Sequence, residues 1–148
     1  MIENIPIPGI EDYDKGFWSH TSKSQLVVQS CSHCNKVRFP PRPMCPSCHC
    51  LEHKWEKVSG KGEVWSFVVP RPPLLPAFEE ISPYAVGLIS LEEHPFIRMV
   101  GRLKIEEAQK NDDFELIKIG SKVEVAFEKL TKEICLPYWV IKTDSEGR

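Results

Sequence analysis

The sequence predicts a mainly β protein: an N-terminal helix, a cysteine-held ribbon, and a five-stranded Greek-key barrel. Three observations carry this reading. Beyond residue 60 or so, apolar and polar residues alternate with the period of half-buried strands. Four of the six cysteines form two Cys-x-x-Cys pairs. Nine of the 13 prolines fall in two clusters, Pro40 to Pro46 and Pro70 to Pro83, which confines irregular backbone to two segments.

The elements follow in order. In residues 10–20, Ile10, Tyr13, Phe17 and Trp18 make one stripe at helical period, so a short amphipathic helix is expected there. Gln25 to Gln29 reads as a strand entering the cysteine region. Val64 to Val69 places Trp65, Phe67 and Val69 on one face of the next strand. Tyr84 to Leu91 is a nearly continuous apolar run, and Phe96 to Leu103 is a further strand. Residues 105–111 are expected to form a helical turn. Lys122 to Phe127 alternates cleanly, with Val123, Val125 and Phe127 inward, and Leu136 to Lys142 supplies the last strand. Five short strands, with a helical connector after the third, suggest a barrel of the OB type. The expected divisions are a helical segment at 1–24, the ribbon at 25–58, the barrel at 59–142 and a tail at 143–148.

The cysteines carry the clearest chemistry. Cys31-Ser-His-Cys34 and Cys45-Pro-Ser-Cys48 have the knuckle spacing that turns two thiolates toward one ion. Together they complete a rubredoxin-like four-sulfur site, closed to water and substrate, and therefore structural. Residues 25–58 are too few to bury a core, so one Zn²⁺ is expected to supply folding free energy. Two disulfides, redox Cys-x-x-Cys pairs and an iron site are the competing assignments. The residue after each knuckle needs φ > 0; here Asn35 and His49 stand where glycine is usual. Cys50 and Cys135 are expected to be reduced thiols, with Cys135 filling the barrel, and His33, His49 and His53 to be exposed loop residues.

No other constellation points to a reaction. There is no glycine-rich phosphate loop, no Gly-x-Ser-x-Gly elbow and no His-Glu-x-x-His, so no active site of its own is expected. Glu92-Glu93-His94 reads as a hairpin turn and Glu79-Glu80 as a solvated loop tip. Charge is unevenly spread. Residues 31–71 hold seven basic and three acidic side chains, net +4; the rest holds twelve and eighteen, net −6, giving −2 overall. That total disfavours nucleic-acid binding by general phosphate attraction, and permits a local anionic contact. The Arg38-Phe39-Pro40-Pro41-Arg42 spur and the loop carrying Arg71, Leu74, Leu75 and Phe78 are candidate contacts to a protein partner or to a local anionic group. Alternatively, Leu74, Leu75 and Phe78 fold back over the barrel. A single-stranded nucleic-acid module using Trp65, Phe67, Tyr138 and Trp139 is the second reading. No apolar run nears the ~20 residues of a membrane helix, and Met1 to Pro6 shows no basic-then-apolar leader, so a cytoplasmic protein is expected.

Taken together, Gly16-Phe17-Trp18, the two knuckles, Phe39-Pro40-Pro41-Arg42, Cys45-Pro46, Trp55, Ser59-Gly60-x-Gly62-x-Val64-x-Ser66-Phe67, Pro83-Tyr84 and Ile119-Gly120 resemble one known family. It is the family of small zinc-ribbon/OB-fold proteins long labelled a domain of unknown function, and the likeness covers roughly residues 10–142. The resemblance implies a non-catalytic partner of thiolase-superfamily proteins acting on acyl-CoA. Within the family the chain looks most like the small zinc-finger subunits of benzoylsuccinyl-CoA thiolases of anaerobic toluene degradation. A hetero-oligomer with two of each subunit, with CoA and the active site on the large one, is what that likeness implies.

Overall fold

The computed structural model describes residues 4–106 and 114–142. Two sheets account for the strands, and both lean on one hydrophobic core. The first is a three-stranded ribbon in the order β2-β1-β3, built from β1 (Val27–Cys31), β2 (Val37–Arg38) and β3 (His53–Lys57). The second is a closed barrel of β4 (Lys61–Val68), β5 (Ala85–Leu91), β6 (Arg98–Ile105), β7 (Lys122–Lys129) and β8 (Cys135–Ile141). Its strand order, β4-β5-β6-β8-β7, with β6 and β8 parallel and all other pairs antiparallel, is that of an OB barrel.

The mainly β architecture expected from the sequence is therefore the one observed, with its helix, cysteine ribbon and barrel. Inward side chains close the barrel by filling it: Val64, Ile89, Leu91, Met99, Leu103, Val123, Trp139 and Ile141 are all buried. Trp139 needs room, and Gly101 on β6 provides it, because a Cβ there would meet the indole at 2.8 Å. The helix α1 (Lys15–Thr21) buries Phe17 and packs its Gly16 against Trp55 of β3, where any Cβ would overlap the indole nitrogen. Leu26, Val27 and Val28 extend the same core into the ribbon. A second helix, α2 (Pro76–Glu79), interrupts the long proline loop.

Several local expectations are corrected. The helix is shorter than its apolar stripe: Ile10 lies before it and is exposed. Strands β2 and β3 were not foreseen, since neither has an apolar alternation. Trp65 does not share a face with Phe67 and Val69. A bulge between Val64 and Ser66 shifts the register, so Val64 and Phe67 face the core while Trp65 is 50% exposed. Cys135 is only half-buried at the start of β8; its neighbour Ile134 is the buried residue. The helical turn at 105–111, beyond Glu106, and the tail at 143–148 lie outside the described residues.

Candidate metal centre

The two knuckles have the same backbone geometry, as their matching sequences require. In the first, Cys31 N–H donates to Lys36 O (3.0 Å) and Asn35 N–H to Cys31 O (3.1 Å). In the second, Cys45 N–H donates to Cys50 O and His49 N–H to Cys45 O, both at 2.9 Å. Asn35 (φ 57°) and His49 (φ 61°) take the left-handed conformation expected after each knuckle. Lys36 Nζ donates to Ser47 Oγ and joins one knuckle to the other.

This arrangement brings Cys31, Cys34, Cys45 and Cys48 together, with their sulfurs within 4.8 Å of one another. Cys31 and Cys48 sulfurs are 3.5 Å apart, Cys34 and Cys45 sulfurs 3.6 Å. A tetrahedron of ~2.3 Å Zn–S bonds has edges of about 3.8 Å, so the donor set fits one zinc ion. The cysteines are unpaired thiols, which sets aside the disulfide assignment. The surroundings also suit thiolates. The Cys34 N–H lowers the Cys31 thiol most, burial opposes it, and the His33 N–H lowers it further, leaving it at about 6. N–H groups of Cys48 and Ser47 lower Cys45 against the same opposition. Cys48 accepts the Cys50 N–H, yet burial and the neighbouring sulfurs push it up to about 12. Four negative sulfurs at this spacing repel, so the last proton leaves when a cation takes its place.

Around the centre, the other candidate residues separate. Cys50 stays outside the cluster, its thiol directed to Glu52 O. His33 and His49 are exposed as expected. His53 is not a loop residue: it lies on β3, edge-on to Trp55. Arg38 and Phe39 turn inward. Arg38 Nε donates to Gln29 Oε1 at 2.6 Å, and Phe39 packs on Phe17 with ring centroids 5.5 Å apart. Arg42 and Arg71 remain exposed. In the proline loop the outcomes divide: Phe78 folds back toward Tyr84 and Leu74 is half-buried, while Leu75 is 59% exposed. Of the four aromatics weighed as base-stacking residues, Trp139 is core, Phe67 and Tyr138 are half-buried, and Trp65 is exposed.

Sequence reasoning passed over two connections. Gln29, fully buried on β1, donates to Tyr13 O and accepts from Arg38 Nε and the Arg42 N–H, so it ties the helix entry and the Phe39–Pro41 spur to the metal ribbon. The Glu92-Glu93-His94 turn, placed as expected between β5 and β6, also clamps the ribbon to the barrel. Glu93 accepts the Ser59 N–H at 2.6 Å, and His94 meets Glu56 of β3 at 2.7 Å. No helix among the described residues is long and apolar enough to cross a membrane.

Fold and site together define a zinc-ribbon protein with an appended OB barrel. Residues 18–52 match the rubredoxin-like zinc ribbon domain of ChsH2, and residues 55–128 match the ChsH2 C-terminal OB-fold domain. The chain belongs to this ChsH2/DUF35 family. The solved structure named Ltp2-ChsH2(DUF35) aldolase superposes with a TM-score of 0.73 at 32% identity, over 91% of this chain and 98% of that one. A DUF35 domain-containing scaffold protein of Pyrococcus furiosus is 33% identical over 77% of each chain. A probable enoyl-CoA hydratase alpha subunit of Thermomonospora curvata is 42% identical over 60% of this chain; the match spans 27% of that relative's length.

Proposed function

We propose that this chain is the non-catalytic, zinc-holding subunit of a thiolase-superfamily acyl-CoA complex, specifically a benzoylsuccinyl-CoA thiolase. The partner-subunit part of the reading is supported by the likeness, over 98% of that chain, to the structure named Ltp2-ChsH2(DUF35) aldolase, while the benzoylsuccinyl-CoA thiolase part rests on the motif resemblance alone. The named relatives are a scaffold protein and a hydratase subunit, which supports a role in assembling acyl-CoA enzymes. Cys31, Cys34, Cys45 and Cys48 hold one structural Zn²⁺, whose bonds supply the folding free energy a three-stranded ribbon lacks. Closed by four sulfurs, the ion offers no place to a substrate.

In this reading the nucleophile and the acid–base groups belong to the large subunit, where thiolysis by a free CoA thiol breaks the carbon–carbon bond between the benzoyl and succinyl parts of benzoylsuccinyl-CoA and releases benzoyl-CoA and succinyl-CoA. This chain contributes binding energy and position. Arg42, Arg71 and Leu75, exposed on the two proline segments, are its reach toward the partner or the CoA phosphates. The nucleic-acid reading is weaker because, of the four aromatics it invokes, only Trp65 is exposed. Omission is the test. A thiolase-type protein from the neighbouring reading frame is assayed with and without this chain on benzoylsuccinyl-CoA and on other acyl-CoA thioesters. The proposal expects activity to need both chains; full activity of the large subunit alone overturns it.

A further inference from the structure

Every strand of the closed barrel has a neighbour on both sides, whereas the ribbon ends in two edges. One is β2, two residues long and running through Phe39 into Pro40 and Pro41, which have no N–H to offer a further strand. The other is the outer side of β3, and no strand among the described residues covers it. Its register fixes which backbone groups point there. Ser32 N–H donates to Glu52 O and Val58 N–H to Leu26 O, so the even-numbered residues from Glu52 to Val58 are the ones bonded to β1. His53, Trp55 and Lys57 therefore direct their N–H and C=O groups outward. The pairing with β1 runs without a register shift, so neither bulge nor proline blunts this edge.

Lysines alone ordinarily guard an open edge by repelling their like. Here Lys54 and Glu56 stand exposed on one face, one on each side of Trp55. Lys54 Nζ reaches the neutral Asn35 Oδ1 at 3.2 Å, and Glu56 meets His94 through Oε1, its Oε2 having no partner among the described residues. That order of charges is its own complement. When two β3 strands pair antiparallel about a two-fold axis at Trp55, Lys54 falls opposite Glu56 of the second copy, and Glu56 opposite that copy's Lys54. Both pairs occupy the close, non-hydrogen-bonded positions. Trp55 then exchanges its backbone bonds with Trp55 of the second copy, and His53 with that copy's Lys57. Moving the axis by one residue sets Lys54 against Lys54 or Glu56 against Glu56, so charge selects the register as well as the occupant. The Trp55 ring is committed to Gly16 of α1 and to His53, which leaves backbone and charge to carry the contact.

We infer that two copies of this chain join through the outer edge of β3, antiparallel about Trp55, into one continuous sheet that carries both metal centres. The pairing needs no large subunit, and its failure would leave the proposed role standing. Sedimentation of the zinc-loaded full chain over a range of concentrations tests it. Lys54→Glu, Glu56→Lys, the double variant Lys54→Glu/Glu56→Lys and Lys132→Glu are compared, with zinc content and thermal unfolding checked for each. The wild type should dimerise below about 1 mM, a contact of this size being weak without further surface. Lys54→Glu sets like charges opposite each other in both pairs and should weaken the dimer about tenfold. Glu56→Lys should do the same while also losing its His94 contact. The double variant should return to within about threefold of wild type, and an equimolar mixture of the two single variants should favour the heterodimer. Lys132→Glu, in the β7–β8 turn, should stay within about twofold. A wild-type chain still monomeric at about 1 mM overturns the pairing. So does a dimer that Lys54→Glu leaves intact, or one that the folded, zinc-loaded double variant fails to restore. A large subunit that protects the His53, Trp55 and Lys57 amides from exchange on a single small chain also overturns it, by giving the edge another occupant.

Discussion

The ribbon and the barrel solve the same problem by opposite means. The barrel closes on itself, abolishes its edges, and fills its interior with side chains such as Trp139, Ile89 and Leu91. The ribbon has three strands, one of only two residues, and buries little beyond β1. What it lacks in apolar area it answers with four sulfurs placed to hold one ion. In a small protein rigidity comes from burial where the strands are long and from coordination where they are short.

The contrast breaks most severely at a knuckle. Cys45→Ser should abolish the metal and unfold the ribbon, since structural zinc in small domains contributes roughly 10 kcal/mol or more. Metal analysis with far-ultraviolet circular dichroism checks it, and retention of strand signal from the barrel would show that the barrel stands without the ion. Trp139→Ala should cost about 3–5 kcal/mol in denaturant unfolding and leave the metal stoichiometry unchanged. Gln29→Ala sits between the regions. Leaving Arg38 and the Arg42 N–H without their acceptor should cost about 1–3 kcal/mol and loosen the spur, seen as faster amide exchange at Arg42.

The smallest effect lies at the clamp. Burial tends to raise Glu93, but its hydrogen bonds with Ser59 outweigh this and hold the carboxyl below its ordinary 4.5. Its contribution is therefore complete above that value and is lost as pH falls through the depressed folded one. In Glu93→Gln a slight acid-side slope of stability should disappear, with little change at neutral pH.

Legibility followed the same division. The barrel strands were readable from their apolar pattern, β5 as a nearly continuous run and β7 by alternation of Val123, Val125 and Phe127 with Lys122, Glu124 and Glu128. The knuckles were readable because metal geometry dictates spacing. In the ribbon, His53-Lys54-Trp55-Glu56-Lys57 shows no strand pattern; pairing with the buried β1 makes it one. Trp65 departs from the expected inward face because a bulge is a matter of one residue, invisible to periodicity. Gln29 could not be found at all. A glutamine after Leu-Val-Val gives no sign that three backbone and side-chain partners from distant segments converge on it.

Mass measurement of the intact assembly tests most directly the proposed role of this protein, that of holding a catalytic partner. Co-produced with the thiolase-type large subunit and sprayed from native buffer, the chain should appear in a hetero-oligomer with two copies of each subunit and one zinc ion per small chain. A chain that appears free of the large subunit, alone or in copies of itself, would contradict that role.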